Sequence, residues 1–144
     1  MIKKANHTDA AIIARLAICM WDSHTVEELT QEFEELLSHE SAVIYLKYDA
    51  DLPIGFAQCQ LRYDYVEGTD SSPIGYLEGI FVKDGFRKCG YAKELLHACE
   101  EWAKNCHCTE FASDCELGNE TSILFHQNMG FTEANRIVCF TKKL

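Results

Sequence analysis

The chain has 144 residues, 47% of them hydrophobic and 25% charged, with a formal net charge of −10. That is the size and balance of one globular domain, 1–144, with a sizeable core. The acidic surplus argues against nucleic acid as a partner, because neutralising phosphates takes excess Lys and Arg, and it favours a cationic small molecule.

The opening MIKKANHTDAA lacks the apolar core of a secretion signal. No apolar run is long enough to span a bilayer. The expectation is a cytoplasmic protein, off the membrane, with its eight cysteines reduced. Ile2 to Lys4 opens a strand. Thr8 or Asp9 caps a helix that runs to about Met20, with Ile12, Ile13, Leu16, Ala17 and Met20 on one face. Trp21 stands where that helix stops, either walling a ligand cleft or edging the core. Thr25 and Glu28 have capping-box spacing, so a second helix starts at Val26. Its apolar stripe is Leu29, Phe33, Leu36 and Leu37. Glu27, Glu28, Glu32, Glu34 and Glu35 make the other face, a solvated surface or the rim of a polycation site.

Ala42 to Tyr48 and Ile54 to Arg62 read as an antiparallel hairpin about the turn Asp49–Pro53. The loop Tyr63 to Pro73 is long and polar, and long loops in compact domains tend to be functional. Tyr65, Glu67 and Asp70 offer it an aromatic face and anions. That combination suits a polyamino sugar, whose ring stacks on the aromatic while its ammonium groups pair with carboxylates.

Gly75 to Cys99 organises the chain. Tyr76 to Val82 is a strand, and Tyr91 to Asn105 is a helix with Ala92, Leu95, Leu96, Cys99, Trp102, Ala103 and Cys106 on one face. Between them runs Arg87-Lys88-Cys89-Gly90-Tyr91-Ala92. Strand, basic glycine loop, helix start is a layout for phosphates. The first-turn N–H groups lack partners and carry partial positive charge, and Gly90 lets the backbone approach an anion. The loop has neither G-x-x-x-x-G-K-[ST] nor G-x-G-x-x-G spacing. Glu78 is anomalous in YLEGIFV. A carboxylate there has to be paired or face a cleft, since burying it alone costs several kcal/mol. Facing a cleft, it can accept a proton directly or through water.

Thr109 to Ser113 is a short strand ending at Asp114, placed to bind a second ammonium or to cap a turn. Leu117 to Asn119 is a turn, Thr121 to Met129 a helix with Gly130 as its C-cap, and Phe131 with Ile137 to Thr141 the last strand. Cys106, His107 and Cys108, with Cys99 and Cys115 near, lack the paired C-x₂-C spacing of a zinc module, so no metal is expected.

The run Arg87 to Ala92 resembles the [QR]-x-x-G-x-[GA] pyrophosphate loop of the GNAT superfamily of N-acetyltransferases. LRYDYVEGTDSSPIGYLEGIFV and CTEFASDCELGN are similar to one branch of it, the aminoglycoside 6′-N-acetyltransferases. The resemblance implies an α/β fold with a mixed, mostly antiparallel sheet of six or seven strands and about four helices. It implies acetyl-CoA as co-substrate, with its pyrophosphate on Arg87, Lys88, Cys89, Gly90, Tyr91 and Ala92. Main-chain groups of Phe81 and Val82 would hold its arm, and Asn119 would lie near it. It implies an aminoglycoside or similar polyamine held by Trp21, Tyr65, Asp70, Glu78 and Asp114, with Glu78 beside the reacting amine, and a homodimer. His126, in HQNMGF, stands where many members have the Tyr that protonates the departing thiolate, and a histidine can act as a general acid near neutral pH. A polyamine acetyltransferase and a non-catalytic acyl-CoA sensor are the alternatives.

Overall fold

The computed structural model describes residues 1–144. Five strands, β1 (Ile2–Lys4), β2 (Ala42–Asp49), β3 (Leu52–Arg62), β4 (Ile74–Val82) and β5 (Phe111–Ser113), lie side by side in that order. Four helices accompany them: α1 (Ala10–Ala17), α2 (Val26–Leu36), α3 (Tyr91–Asn105) and α4 (Glu120–Asn128). Neighbouring strands are antiparallel except β4 and β5, which are parallel.

The alternation along β2 and β3 explains the layering. Successive side chains on a strand point to opposite faces. Ile44, Leu46 and Phe56 are fully buried under α1 and α2, beside Ile13, Leu29 and Phe33. Val43, Ala57 and Cys59 bury the opposite face against Leu95, Leu96 and Cys99 of α3. The sheet is therefore covered on both sides. At about 1.5–3 kcal/mol for each large apolar side chain taken from water, these two cores dominate the stability.

The helix ends follow their cap chemistry. Thr25 Oγ1 accepts the Glu28 N–H at 3.1 Å, and Glu28 Oε2 accepts the Thr25 N–H at 3.0 Å, the expected capping box of α2. The first helix is capped differently from the expectation. Asn6, not Thr8 or Asp9, accepts the Thr8 N–H at 2.9 Å, opening a 3₁₀ turn, His7–Asp9, that leads into α1. The α-helix itself stops at Ala17, short of Met20. Gly130, at φ +90°, follows α4 as a left-handed terminator.

The sheet has five strands where six or seven were expected. The difference lies after α4, where residues 131–144 form no helix or strand. Ile137–Thr141 has strand-like composition, but a strand needs an edge to bond to. In the single chain none receives it, and Ile137, Val138 and Phe140 stand 69%, 77% and 89% exposed.

Candidate active site

Two irregularities in β4 build the site. The first is a bulge. Gln58 pairs with Gly79 and Cys59 with Leu77, so Glu78 is the extra residue on β4. A bulge re-aims a side chain and sharpens the local twist. The second is a split. β5 pairs with β4 only from Gly75 to Leu77, and Leu77–Ser113 is the last pair. Beyond it, Glu78 to Val82 bonds to β3 alone, and its other edge is open. The Lys83 N–H donates to Ile54 O of the β3 side at 2.8 Å. By alternation the polar groups of Val82 and Ile80 turn toward the open edge. The Phe81 carbonyl faces β3 instead, 2.6 Å from where a Cβ on Gly55 would stand. The Val82 N–H and the polar groups of Ile80 thus face the open edge, and those of Phe81 face β3.

The loop after β4 is an anion cradle. Lys88 and Gly90 both lie in the left-handed region, at φ +61° and +83°. Gly90 is the N-cap of α3 and gives it no side-chain cap. The N–H groups of Lys88 through Lys93 have no acceptor within the chain. A Cβ on Gly90 would meet nothing within 4 Å, so the space in front of those donors is open. The Arg87 side chain is tied back. Its Nε donates to the Val82 carbonyl at 2.9 Å, and its Nη1 pairs with Asp84 at 2.9 Å. Arg87 therefore braces the loop on the end of β4, and the free charge is that of Lys88. Behind the cradle, buried Lys47 on β2 pairs with Glu94 in the first turn of α3 and lies over the Tyr91 ring, 4.6 Å from its centroid. The bond to Glu94 holds the Lys47 ammonium above its ordinary pKa.

Glu78 is paired. Arg62, the last residue of β3, donates from Nε to Oε1 at 3.0 Å and from Nη2 to Oε2 at 2.9 Å. The Arg62 guanidinium also lies flat on Tyr76, 3.5 Å from the ring centroid. Tyr76 is 5% exposed and donates its hydroxyl to Asp114 Oδ2 at 2.5 Å. Burial first, and then the bond to Asp114, pushes the Tyr76 phenol well above its ordinary pKa. The Glu78 hydrogen bond raises the Arg62 guanidinium likewise. Glu78 and Asp114, far apart in sequence, are thus joined through one arginine and one tyrosine.

His126 sits on α4, half-buried between Phe125 and Phe131. Its Nδ1 lies 2.7 Å from the Ser122 carbonyl, an acceptor only, so Nδ1 carries a proton. Its Nε2 lies 2.7 Å from Ser113 Oγ at the end of β5. The ring meets the split only through Ser113. Asn119 caps α4, its Oδ1 accepting the Ser122 N–H at 3.1 Å, so that side chain is already engaged.

A cleft of about 780 Å³ opens beside β5, between the Tyr63–Pro73 loop, α4 and the C-terminal arm. Its lining includes Glu67, Glu100, Glu110, Asp114, Glu116 and Glu133 against two guanidiniums, Arg62 and Arg136. Arg136 is spent on Glu133, at 2.5 Å. The cleft is therefore anionic, and low-dielectric walls focus such a field on cations. Tyr65 lines it and is 76% exposed. Asp70 does not line it. Its backbone N–H instead donates to Glu110 at 2.8 Å, which anchors the loop. Trp21 lines a separate cavity of about 300 Å³, with Gln58, Phe33 and His24. It covers Gly79, where a Cβ would come within 3.0 Å of its ring, so it stands one residue from Glu78 but apart from Tyr65. Sequence reasoning missed Arg62, Tyr76 and Ser113. A lone arginine at a strand end and a tyrosine inside a strand carry no signal of their own.

No group of three or more His, Cys, Asp or Glu side chains is placed to hold a metal, and Cys106 and Cys108 are free thiols.

Residues 11–131 match the acetyltransferase (GNAT) family. The chain is 37% identical, over 99% of its length and 98% of the relative's, to an aminoglycoside N(6')-acetyltransferase type 1 of Acinetobacter haemolyticus. It is 40% identical to the protein of that name from Acinetobacter baumannii, over 90% of this chain and 88% of that one. Among solved structures, AAC(6')-Iy in complex with the bisubstrate analogue CoA-S-monomethyl-acetylneamine superposes with a TM-score of 0.95 at 35% identity, covering 100% of this chain and 98% of the other. The aminoglycoside antibiotic 6'-N-acetyltransferase AAC(6')-Ih from Acinetobacter baumannii gives 0.92 at 36% identity, covering 100% and 98%.

Proposed function

The chain belongs to the acetyltransferase (GNAT) family, and we propose that it transfers the acetyl group of acetyl-CoA to the 6′-amine of aminoglycosides. One observation carries the reading: the split between β4 and β5 has a bare N–H cradle on one side and an anionic cleft on the other. A phosphate-bearing donor and a polycationic acceptor can meet at such a place.

The roles follow from the geometry. Backbone N–H groups from Lys88 to Ala92, with the Lys88 ammonium, suit the CoA pyrophosphate. The open Val82 N–H and the main-chain groups of Ile80 suit its extended arm. Acetyl-CoA supplies the acetyl group as an activated thioester. The acceptor amine enters as an ammonium ion and has to lose a proton before it attacks. Glu78, one residue past the last β4–β5 pair, holds that ammonium and takes the proton directly or through water. Asp114 and Tyr65 hold other parts of the sugar, and Trp21 walls the β3 side. A main-chain N–H on the open edge of β4 stabilises the oxyanion. The thiolate leaves as CoA–S⁻, accepts a hydrogen bond from Ser113, which His126 holds, and takes its proton from water. Direct transfer from CoA to amine needs no acylated cysteine. Cys59 and Cys99 are buried.

The acting unit is a homodimer. Ile137, Val138 and Phe140 form an apolar arm that the single chain leaves in water, next to a β5 that has one strand neighbour. A second copy of the same arm and edge is self-complementary to it. The protein works in the cytoplasm, where acetyl-CoA is made and where an incoming antibiotic acts.

The experiment is thiol release from acetyl-CoA with kanamycin, tobramycin, a 6′-hydroxyl aminoglycoside, spermidine and a peptide amine. Turnover of the 6′-amino compounds alone is expected. Turnover of spermidine alone would replace the acceptor class and keep the chemistry.

A further inference from the structure

An arginine inside a cleft meant for a polycation is an anomaly. Arg62 adds positive charge where ammonium groups have to bind, and repulsion alone would weaken that binding. The contacts around it give it a different purpose. A carboxylate has about four lone-pair sites, and the Arg62 fork fills two of the four on Glu78, one on each oxygen. Two remain for an incoming ammonium. The guanidinium plane is itself fixed by Tyr76, at 3.5 Å. Tyr76 cannot swing away, because it is 5% exposed and bonded to Asp114. Glu78 is therefore held by the arginine, and Asp114 by the tyrosine, of one arginine–tyrosine pair.

We infer that Arg62 is a positioning residue that, with Tyr76, fixes the Glu78 and Asp114 carboxylates as one preformed receptor for two ammonium groups of the acceptor. This rests on the function proposed above and adds to it a determinant of acceptor affinity. Lysine cannot replace Arg62 here. Its ammonium is a point charge that neither bridges both oxygens in plane nor stacks on the ring in the same way.

The test uses the full chain with acetyl-CoA and kanamycin, comparing wild type, Arg62→Met, Arg62→Lys, Glu78→Gln and the double variant Arg62→Met/Glu78→Gln. The expected result for Arg62→Met is a tenfold or larger rise in KM for kanamycin, with KM for acetyl-CoA within twofold of wild type. Arg62→Lys recovers only part of the loss. The double variant is no worse than Glu78→Gln alone, because Arg62 acts through Glu78. A merely structural role predicts losses that multiply, and that result overturns the inference. So does an unchanged KM in Arg62→Met, or full recovery in Arg62→Lys. Arg62→Lys keeps the test valid if the methionine variant does not fold. A wild-type protein inert toward every amine would refute the proposed reaction instead. Calorimetric binding of kanamycin would then read the role of Arg62, with the same tenfold weakening expected and an unchanged affinity overturning it.

Discussion

Leu77 on β4 and Ser113 on β5 are the last paired residues before the two strands part. Everything chemical in the chain is arranged about that point. Glu78 follows Leu77 directly, Asp114 follows Ser113, and the phosphate cradle lies beyond the free end of β4. Ser113 Oγ lies 2.7 Å from His126 Nε2 and 3.4 Å from the Leu77 carbonyl, so its single proton has two acceptors close by.

Ser113→Ala and His126→Gln are each expected to lower kcat about tenfold, close to 1.4 kcal/mol of barrier, at unchanged KM for kanamycin. The double variant should lose no more than either single one, since the ring reaches the split only through the hydroxyl. Steady-state kinetics at saturating acetyl-CoA measures this. Multiplying losses would separate the two residues.

Gly90→Val should weaken CoA binding about tenfold or more, because a β-branched residue does not hold φ +83°. The open space in front of Gly90 rules out a steric clash as the cause. Isothermal titration with CoA reads the loss. Affinity equal to wild type would move the anion site off the start of α3.

Alkaline pH should destabilise the fold. Burial raises the pKa of Tyr45, Tyr76, Cys106 and Cys108, and a hydrogen bond donated to Cys99, together with burial, raises that of Cys59. A group raised in the folded state lends its full stability below its unfolded pKa and loses it as pH climbs toward the folded one. The Tm should hold steady from pH 7 to about 8.5, the ordinary thiol value, and then fall, steepening past the phenol value near 10. A flat Tm up to pH 10.5 would contradict this burial.

Phe140→Glu should convert the proposed homodimer into a monomer by placing a carboxylate in the apolar arm. Light scattering after size exclusion measures the mass. A wild-type monomer, or a Phe140→Glu dimer, would remove the arm from the interface.

The cradle was legible because glycine, base and helix start sit within six consecutive residues. The hairpin strands were legible as apolar runs on either side of a turn, and α2 from its capping box. Glu78 was legible as an anomaly, a single charge in an apolar strand. Its partner was not, because Arg62 lies 16 residues away and meets it through a bulge that no local pattern announces. Tyr76 and Ser113 were hidden for the same reason, their contacts to Asp114 and His126 being set by how β5 and α4 return to β4. Trp21 over Gly79 and Tyr65 in the larger cleft line different cavities of the single chain, an arrangement no local pattern announces. The last strand had strand-like composition, but in the single chain it pairs with no edge.

The most direct test of the central claim is the position of the acetyl group in the product. Kanamycin treated with the protein and acetyl-CoA should carry a single added acetyl, placed by NMR on the 6′-amine, with one CoA thiol released per product. Acetylation at another amine, or thiol release without acetylated kanamycin, would contradict it.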